Sequence, residues 1–273
     1  MPASAFALAL GAAVVHALWN LLLARARDPE AATAVALLVG VVVFAPAAAL
    51  AWEVESRVWP YLAVTSALEL LYIALLGAAY RRAELSVVYP LGRGLAPLLV
   101  LGVGVLALGA ETTAVQATGV CLVGLGVLLV RGLHRPAAPA GVVFGLAIAC
   151  SIAAYTLVDD EGIRYANALT YVELALVLPA LTYAGGIVAL RGAPALRAEL
   201  RPATLFAGVG MLGSYALALA ALARADAAPV AAVRETSIVF AAAGAALLLR
   251  ERVGPARLAG AVLVAAGVAL LGA

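Results

Sequence analysis

Ten apolar blocks, each about as long as a membrane-crossing helix, follow one another along the chain with almost nothing between them. They fall near residues 4–24, 31–52, 59–80, 86–108, 113–131, 140–158, 168–190, 203–222, 228–249 and 256–272. A helix crossing ~30 Å of hydrocarbon needs roughly 20 mainly apolar residues, because in lipid its backbone polar groups must be satisfied within the segment itself. Composition agrees, with 66% hydrophobic and only 12% charged residues, where soluble domains carry about 25% charged. Connectors such as "RRAEL" and "GAETT" are so short that neighbouring helices must run antiparallel, and no soluble domain fits between them. The expected fold is an all-α integral membrane protein of ten transmembrane helices. The first block lacks the basic leader and cleavage site of a signal peptide, so it counts as the first helix.

The longest connector, "RGLHRPAAPAG" at residues 131–141, divides the chain into residues 1–134 and 138–273, five helices each. The halves resemble one another. "ETTAVQATGVCLVGLGVLLV" aligns with "ERVGPARLAGAVLVAAGVALLG", matching Glu111 with Glu251, Gly119 with Gly260 and Gly126 with Gly267. Upstream, "YPLGRGLAP" aligns with "VAAVRETSI", which sets Arg93 opposite Arg234, and Tyr72 matches Tyr215. An odd number of spans per repeat inserts the second copy upside down, the inverted-repeat plan of many secondary transporters. Both acidic turn residues, Glu111 and Glu251, are expected to cap the helix that follows.

Several function classes are disfavoured. Net charge is only +2 and the arginines lie singly or in pairs, so no nucleic-acid partner is expected. Cys121 and Cys150 fall inside apolar blocks without His or Cys at ligand spacing, which suggests neither a disulfide frame nor a metal site. The G-x-G patterns follow no strand, so no nucleotide or other cofactor is indicated, and the glycines read as close helix contacts. No His-Glu-x-x-His pattern or other catalytic pair is present, and an enzyme is not expected.

Ionisable groups within spans cost roughly 2.5–3.5 kcal/mol at the helix centre and face a partner, the bundle interior or a wet cavity. Here they are Glu69, Arg93, Glu173, Arg234 and Glu235, with His16 as a titratable addition. His16, Trp19 and Asn20 share one face of the first helix, and Ser86, Tyr89, Pro90, Arg93 and Pro97 one face of the fourth. The prolines and glycines of "YPLGRGLAP" predict a locally irregular helix beside a polar cavity. Arg234 and Glu235 point about 100° apart and are not expected to pair with each other. Two readings stay open for both arginines: ion pairs with glutamates of other helices, or contact with an anionic or zwitterionic substrate. Candidate substrate contacts are Arg93, Arg234, Tyr89, Trp19, Asn20 and Tyr155. Glu235, Glu69, Glu173 and His16 are the proton or ion-pair candidates, and with two arginines for three glutamates the acid left over is expected to take a proton, Glu235 first and Glu69 second.

Ten helices in two halves, "HALWN", "YPLGRGLAP", "VRETSIVFAAAGAALLLRE" and the acidic turns resemble the EamA-type branch of the drug/metabolite transporter superfamily over essentially the whole chain. The resemblance implies two EamA-like repeats and transport, often efflux, of amino acids, related metabolites or toxic compounds through a central cavity. The expected function is thus a secondary transporter, an exporter, of a small polar metabolite such as an amino acid or organic anion across the cytoplasmic membrane. The alternative is a flippase for a phosphorylated lipid or carrier lipid. Expected partners are the small-molecule substrate, the lipid bilayer and protons as candidate coupling ions, with the chain a monomer or homodimer.

Loops after odd-numbered helices hold Arg25, Arg27, Arg81, Arg82, Arg131, Arg135, Arg191, Arg197, Arg201, Arg250, Arg252 and Arg257, while those after even-numbered helices hold only Arg57, Arg164 and Arg224. Basic loops stay in the cytoplasm. Both termini are therefore expected outside, whereas the resemblance implies termini inside. A terminal fusion to a reporter active only in the cytoplasm should be silent.

Overall fold

The computed structural model describes residues 1–83, 85–131, 138–249 and 254–273. Glu251, Arg135, Arg250 and Arg252 lie outside them. The long helices are α1 (Ala3–Leu23), α2 (Pro29–Leu50), α3 (Trp59–Arg82), α4 (Leu85–Leu108), α5 (Ala114–Arg131), α6 (Pro139–Gly162), α7 (Ala168–Arg191), α9 (Pro202–Leu222) and α12 (Pro255–Gly272). A short α8 (Ala193–Ala198) follows α7, and α10 (Ala227–Arg234) is separated by Glu235 from α11 (Thr236–Leu249). Among the described residues, 8 helices are long and apolar enough to cross a membrane, and Ala114–Val130 is a shorter apolar one. The chain is an all-α, multi-pass membrane protein.

Local chemistry sets the helix starts. Proline occupies the first turn of α2, α6, α9 and α12, where a missing N–H costs nothing. Asp28 caps α2, accepting from the N–H of Glu30 and of Ala31, each at 3.1 Å. Asn167 caps α7 through the Leu169 N–H at 2.9 Å. The start of α5 departs from expectation. Its cap is a reciprocal box, with Thr113 N–H donating to Gln116 Oε1 at 2.9 Å and Gln116 N–H to Thr113 Oγ1 at 3.2 Å, rather than Glu111.

Two further departures concern the irregular spans. α4 runs unbroken through Pro90 and Pro97, so the irregularity expected there does not occur. It appears instead in the aligned segment of the second half, where the ninth apolar block splits into α10 and α11. At the break, Glu235 N–H donates to Ala232 O at 3.1 Å and Ile238 N–H to Glu235 O at 3.1 Å, one residue tighter than α-helical bonds. The Thr236 hydroxyl donates to Val233 O at 2.7 Å and takes a carbonyl that the helix has released.

α1 packs on α9, α2 on α7 and α9, α3 and α4 on α6, and α5 on α12, while α10 lies against α4 and α1. The α5–α12 crossing is antiparallel and closest at glycines. A β-carbon on Gly126 would stand 2.7 Å from Gly260 O and 2.8 Å from the Val264 nitrogen, and one on Gly119 3.0 Å from Gly267 O. Backbone atoms cannot yield as a side-chain tip can, so the small residues permit the approach on which membrane helix packing depends.

The two ends of the bundle differ. At the end carrying the α1–α2, α3–α4 and α7–α8 turns, Glu30 is held by Arg81 and Arg191, and Arg191 also meets Asp28 at 2.8 Å. At the other end the α2–α3 and α6–α7 connectors are laced by backbone, with Glu55 N–H donating to Tyr165 O at 2.8 Å and Asn167 N–H to Glu53 O at 3.0 Å. There the Met1 amine also donates to Leu271 O at 3.1 Å.

Replacing Gly126 or Gly260 by leucine should overpack the α5–α12 crossing and cost about 1–3 kcal/mol. Gly185→Ala, where a β-carbon would meet nothing within 4 Å, should be silent. Thermal unfolding in detergent distinguishes the two.

Candidate functional site

A cavity of about 550 Å³ lies between the helices. Its walls come from both halves of the chain: His16, Trp19 and Asn20 of α1, Glu69 and Tyr72 of α3, Arg93 of α4, Tyr155 of α6, Ser214 and Tyr215 of α9, and Arg234 and Ser237 at the α10–α11 break. It extends to Ala24, Pro29 and Glu30 at the arginine-rich end, with Tyr183 and Arg257 also on its wall.

The α1 face read from the sequence lines this cavity, and from the α4 face Arg93 does. On α1, the His16 and Trp19 rings meet edge to face with centroids 4.7 Å apart. Trp19 Nε1 donates to Ser214 Oγ at 3.2 Å, and Asn20 Nδ2 to His16 O at 2.9 Å. An indole N–H in an apolar bundle needs such a partner, and finding it ties α1 to α9. Tyr155 stands between Tyr72 and Tyr215, with ring centroids 6.3 Å and 6.2 Å away.

The arginines that the sequence aligned behave differently. Arg93 is buried, its Nη1 3.2 Å from Glu235 Oε1 and its Nη2 against His16 Nε2. Glu235 is therefore the partner of Arg93 rather than the leftover acid. Neither Glu69 nor Glu173 supplies an ion pair to an arginine: among the described residues neither has an arginine nitrogen within 4 Å. Glu69 lies buried on the cavity wall. Glu173 is away from that wall on α7, with Oε2 buried and unbonded. Arg234 lines the cavity and, among the described residues, has no carboxylate oxygen within 4 Å. The Tyr89 side chain lies outside those described.

Asp159 was not among the expected site residues. It is buried beside the cavity, where Tyr215 donates to its Oδ2 at 2.6 Å while Thr65 and Tyr171 donate to its Oδ1 at 2.7 Å and 3.0 Å. Four helices, α3, α6, α7 and α9, thus meet at one carboxylate. The expected sixth span stopped at residue 158, whereas α6 continues to Gly162. The signal was the spacing, since Asp159 lies four residues beyond Tyr155 and so on its face. Glu30 was missed likewise, as it looked like the edge of a loop. Among the described residues no group of three His, Cys, Asp or Glu side chains could hold a metal.

Apolar spans packed around a polar cavity built from both halves define a membrane protein of the transporter class. The sequence pattern of the EamA-like transporter family matches residues 139–273, and through that half the chain belongs to this family, part of the drug/metabolite transporter superfamily. A solved crystal structure, titled only as that of a protein, superposes with a TM-score of 0.82 at 16% identity, covering 99% of this chain and 96% of the other. At that identity the likeness shows a shared fold. No curated protein matches the sequence.

Asp159→Ala would leave three hydroxyls without their acceptor and should destabilise the bundle by about 1–3 kcal/mol, and Tyr215→Phe, which removes one bond, by about 1 kcal/mol. Thermal unfolding of the detergent-solubilised protein checks the ranking.

Proposed function

We propose that the chain is a secondary transporter of ten spans in two inverted five-helix repeats, residues 1–134 and 138–273. It exports a small polar metabolite bearing a negative group across the cytoplasmic membrane by alternating access. The carrying observation is Arg234: a guanidinium on the wall of a cavity of about 550 Å³, with no carboxylate within 4 Å among the described residues. The volume lies in the range of small-molecule sites, roughly 300–1,000 Å³. A fixed cation there offers two parallel N–H donors to a carboxylate or phosphonate.

The pattern of helix contacts supports the repeat. Exchanging the halves turns the α1–α9 contact into α6–α3, and α2–α9 into α7–α3, and both members of each exchange are present. The same exchange turns the Gly119–Gly267 approach into Gly260–Gly126. The first half is on this reading a second EamA-like repeat. Alternating access is supported by the contrast between the cavity's extension to Glu30 at one end and the hydroxyl cluster on Asp159. Trp19, Asn20 and Tyr155 shape the chamber around the ligand.

A thermal-shift screen of purified protein against amino acids, phosphonates and organic anions should find stabilising ligands, and vesicle uptake with and without a pH gradient should show whether protons take part. Arg234→Ala should weaken binding of such a ligand by about tenfold or more while the protein stays folded, with Arg234→Lys intermediate. Unchanged binding by folded Arg234→Ala would end the anion assignment. Stabilisation by phosphorylated lipids and by no soluble metabolite would replace the exporter with a flippase.

A further inference from the structure

We infer that Arg93 is a positioning residue rather than a substrate contact: with His16 it clamps Glu235 at the α10–α11 break and thereby turns Arg234 into the cavity. The inference rests on the reading of Arg234 as the ligand's cation.

The guanidinium of Arg93 is engaged on two edges. Nη1 meets Glu235 Oε1 at 3.2 Å, and Nη2 meets His16 Nε2. Although it stands on the cavity wall, the residue is only 6% exposed, and both of its terminal nitrogens are already engaged by protein groups. Those partners sit on α1 and at the break, so one planar fork on α4 joins three elements.

The consequence for Arg234 follows from helix geometry. Adjacent helical residues point about 100° apart, so fixing the direction of Glu235 fixes that of Arg234. A continuous helix would set this azimuth through its backbone ladder. Here the ladder is interrupted at Glu235, where tightened bonds run from Glu235 N–H to Ala232 O and from Ile238 N–H to Glu235 O, with the Thr236 hydroxyl on Val233 O. The rotation of α10 about its axis is therefore set by side chains, and the buried ion pair is the directional one at the break. Glu235 is itself 3% exposed with Oε2 unbonded, so its position has no other charged anchor among the described residues.

Cysteine accessibility tests the clamp without knowledge of the substrate. In a protein carrying Cys121→Ala, Cys150→Ala and Arg234→Cys, the introduced thiol should react with N-ethylmaleimide from the arginine-rich side. Adding Arg93→Met or the milder Glu235→Gln should slow that reaction by about tenfold, since loss of one partner of a buried pair releases the other. The exchange Arg93→Glu with Glu235→Arg should restore it, a rescue that general loosening would not produce. Equal labelling rates in the folded parent and in folded Glu235→Gln would overturn the positioning role. So would failure of the exchanged pair to restore the rate in folded protein. Failure of the anion assignment looks different: Arg234→Ala would then bind the stabilising ligand normally, whatever the labelling rates show.

Discussion

A charge buried among apolar helices must find a counter-charge, and in this protein the pair that meets this demand also determines where a helix can be broken. Removing one partner of a buried pair costs far more than the intact pair contributes. Arg93 and Glu235 are therefore bound to one another, with His16 beside them. Backbone irregularity at membrane depth is tolerated only where protein or a polar chamber supplies partners. The α10–α11 break meets that condition because Glu235 has its cation on α4 and the Thr236 hydroxyl takes the released Val233 carbonyl. The cavity, the break and the ion pair are parts of one solution.

Much of this was legible in the sequence because the bilayer fixes element length. The expected blocks agree with the helices to within a few residues along most of the chain, and the polar stripe of His16, Trp19 and Asn20 faces the cavity as helical spacing requires. What escaped was whatever depended on tertiary choice. Proline content pointed to α4 as the irregular span, yet α4 passes through Pro90 and Pro97 as a continuous helix. Composition records where a break is cheap, and packing decides where one is made. Pairing was illegible for the same reason: an inventory of two arginines and three glutamates does not say which ones are adjacent. Asp159 and Glu30 were overlooked because each stands in a terminal turn of a span, where an acid looks like solvent-facing punctuation.

The repeat alignment carries a further lesson in its exceptions. Gly119, Gly126, Gly260 and Gly267 obey the two-fold relation, since a close crossing demands small residues from both partners. Arg93 and Arg234 occupy aligned positions but do different work, one bonded to Glu235 and the other facing the chamber. Once one arginine of such a couple is committed to a clamp, the other is released from structural duty. On the proposed two-repeat reading, two similar halves would thus give a one-sided binding surface, suited to a small asymmetric ligand.

The two ends of the bundle extend that asymmetry. At the arginine-rich end Glu30 and Asp28 are tied to Arg81 and Arg191 by charge. On the other side of the chamber the tie is a carboxylate, Asp159, fed by the neutral hydroxyls of Thr65, Tyr171 and Tyr215. Arg81 and Arg191 are partly exposed and can be solvated when their pairs separate, and the buried Glu30 they share lines the cavity. Hydroxyl bonds to a buried carboxylate are costlier to open, since water must enter before the charge is released. The hydroxyl end should therefore resist opening until something compensates Asp159, while at the charged end the arginines can reach solvent and Glu30 already borders the chamber. That inequality gives a bundle with near-symmetric helices an energetic reason to rest with its chamber reaching the arginine-rich side.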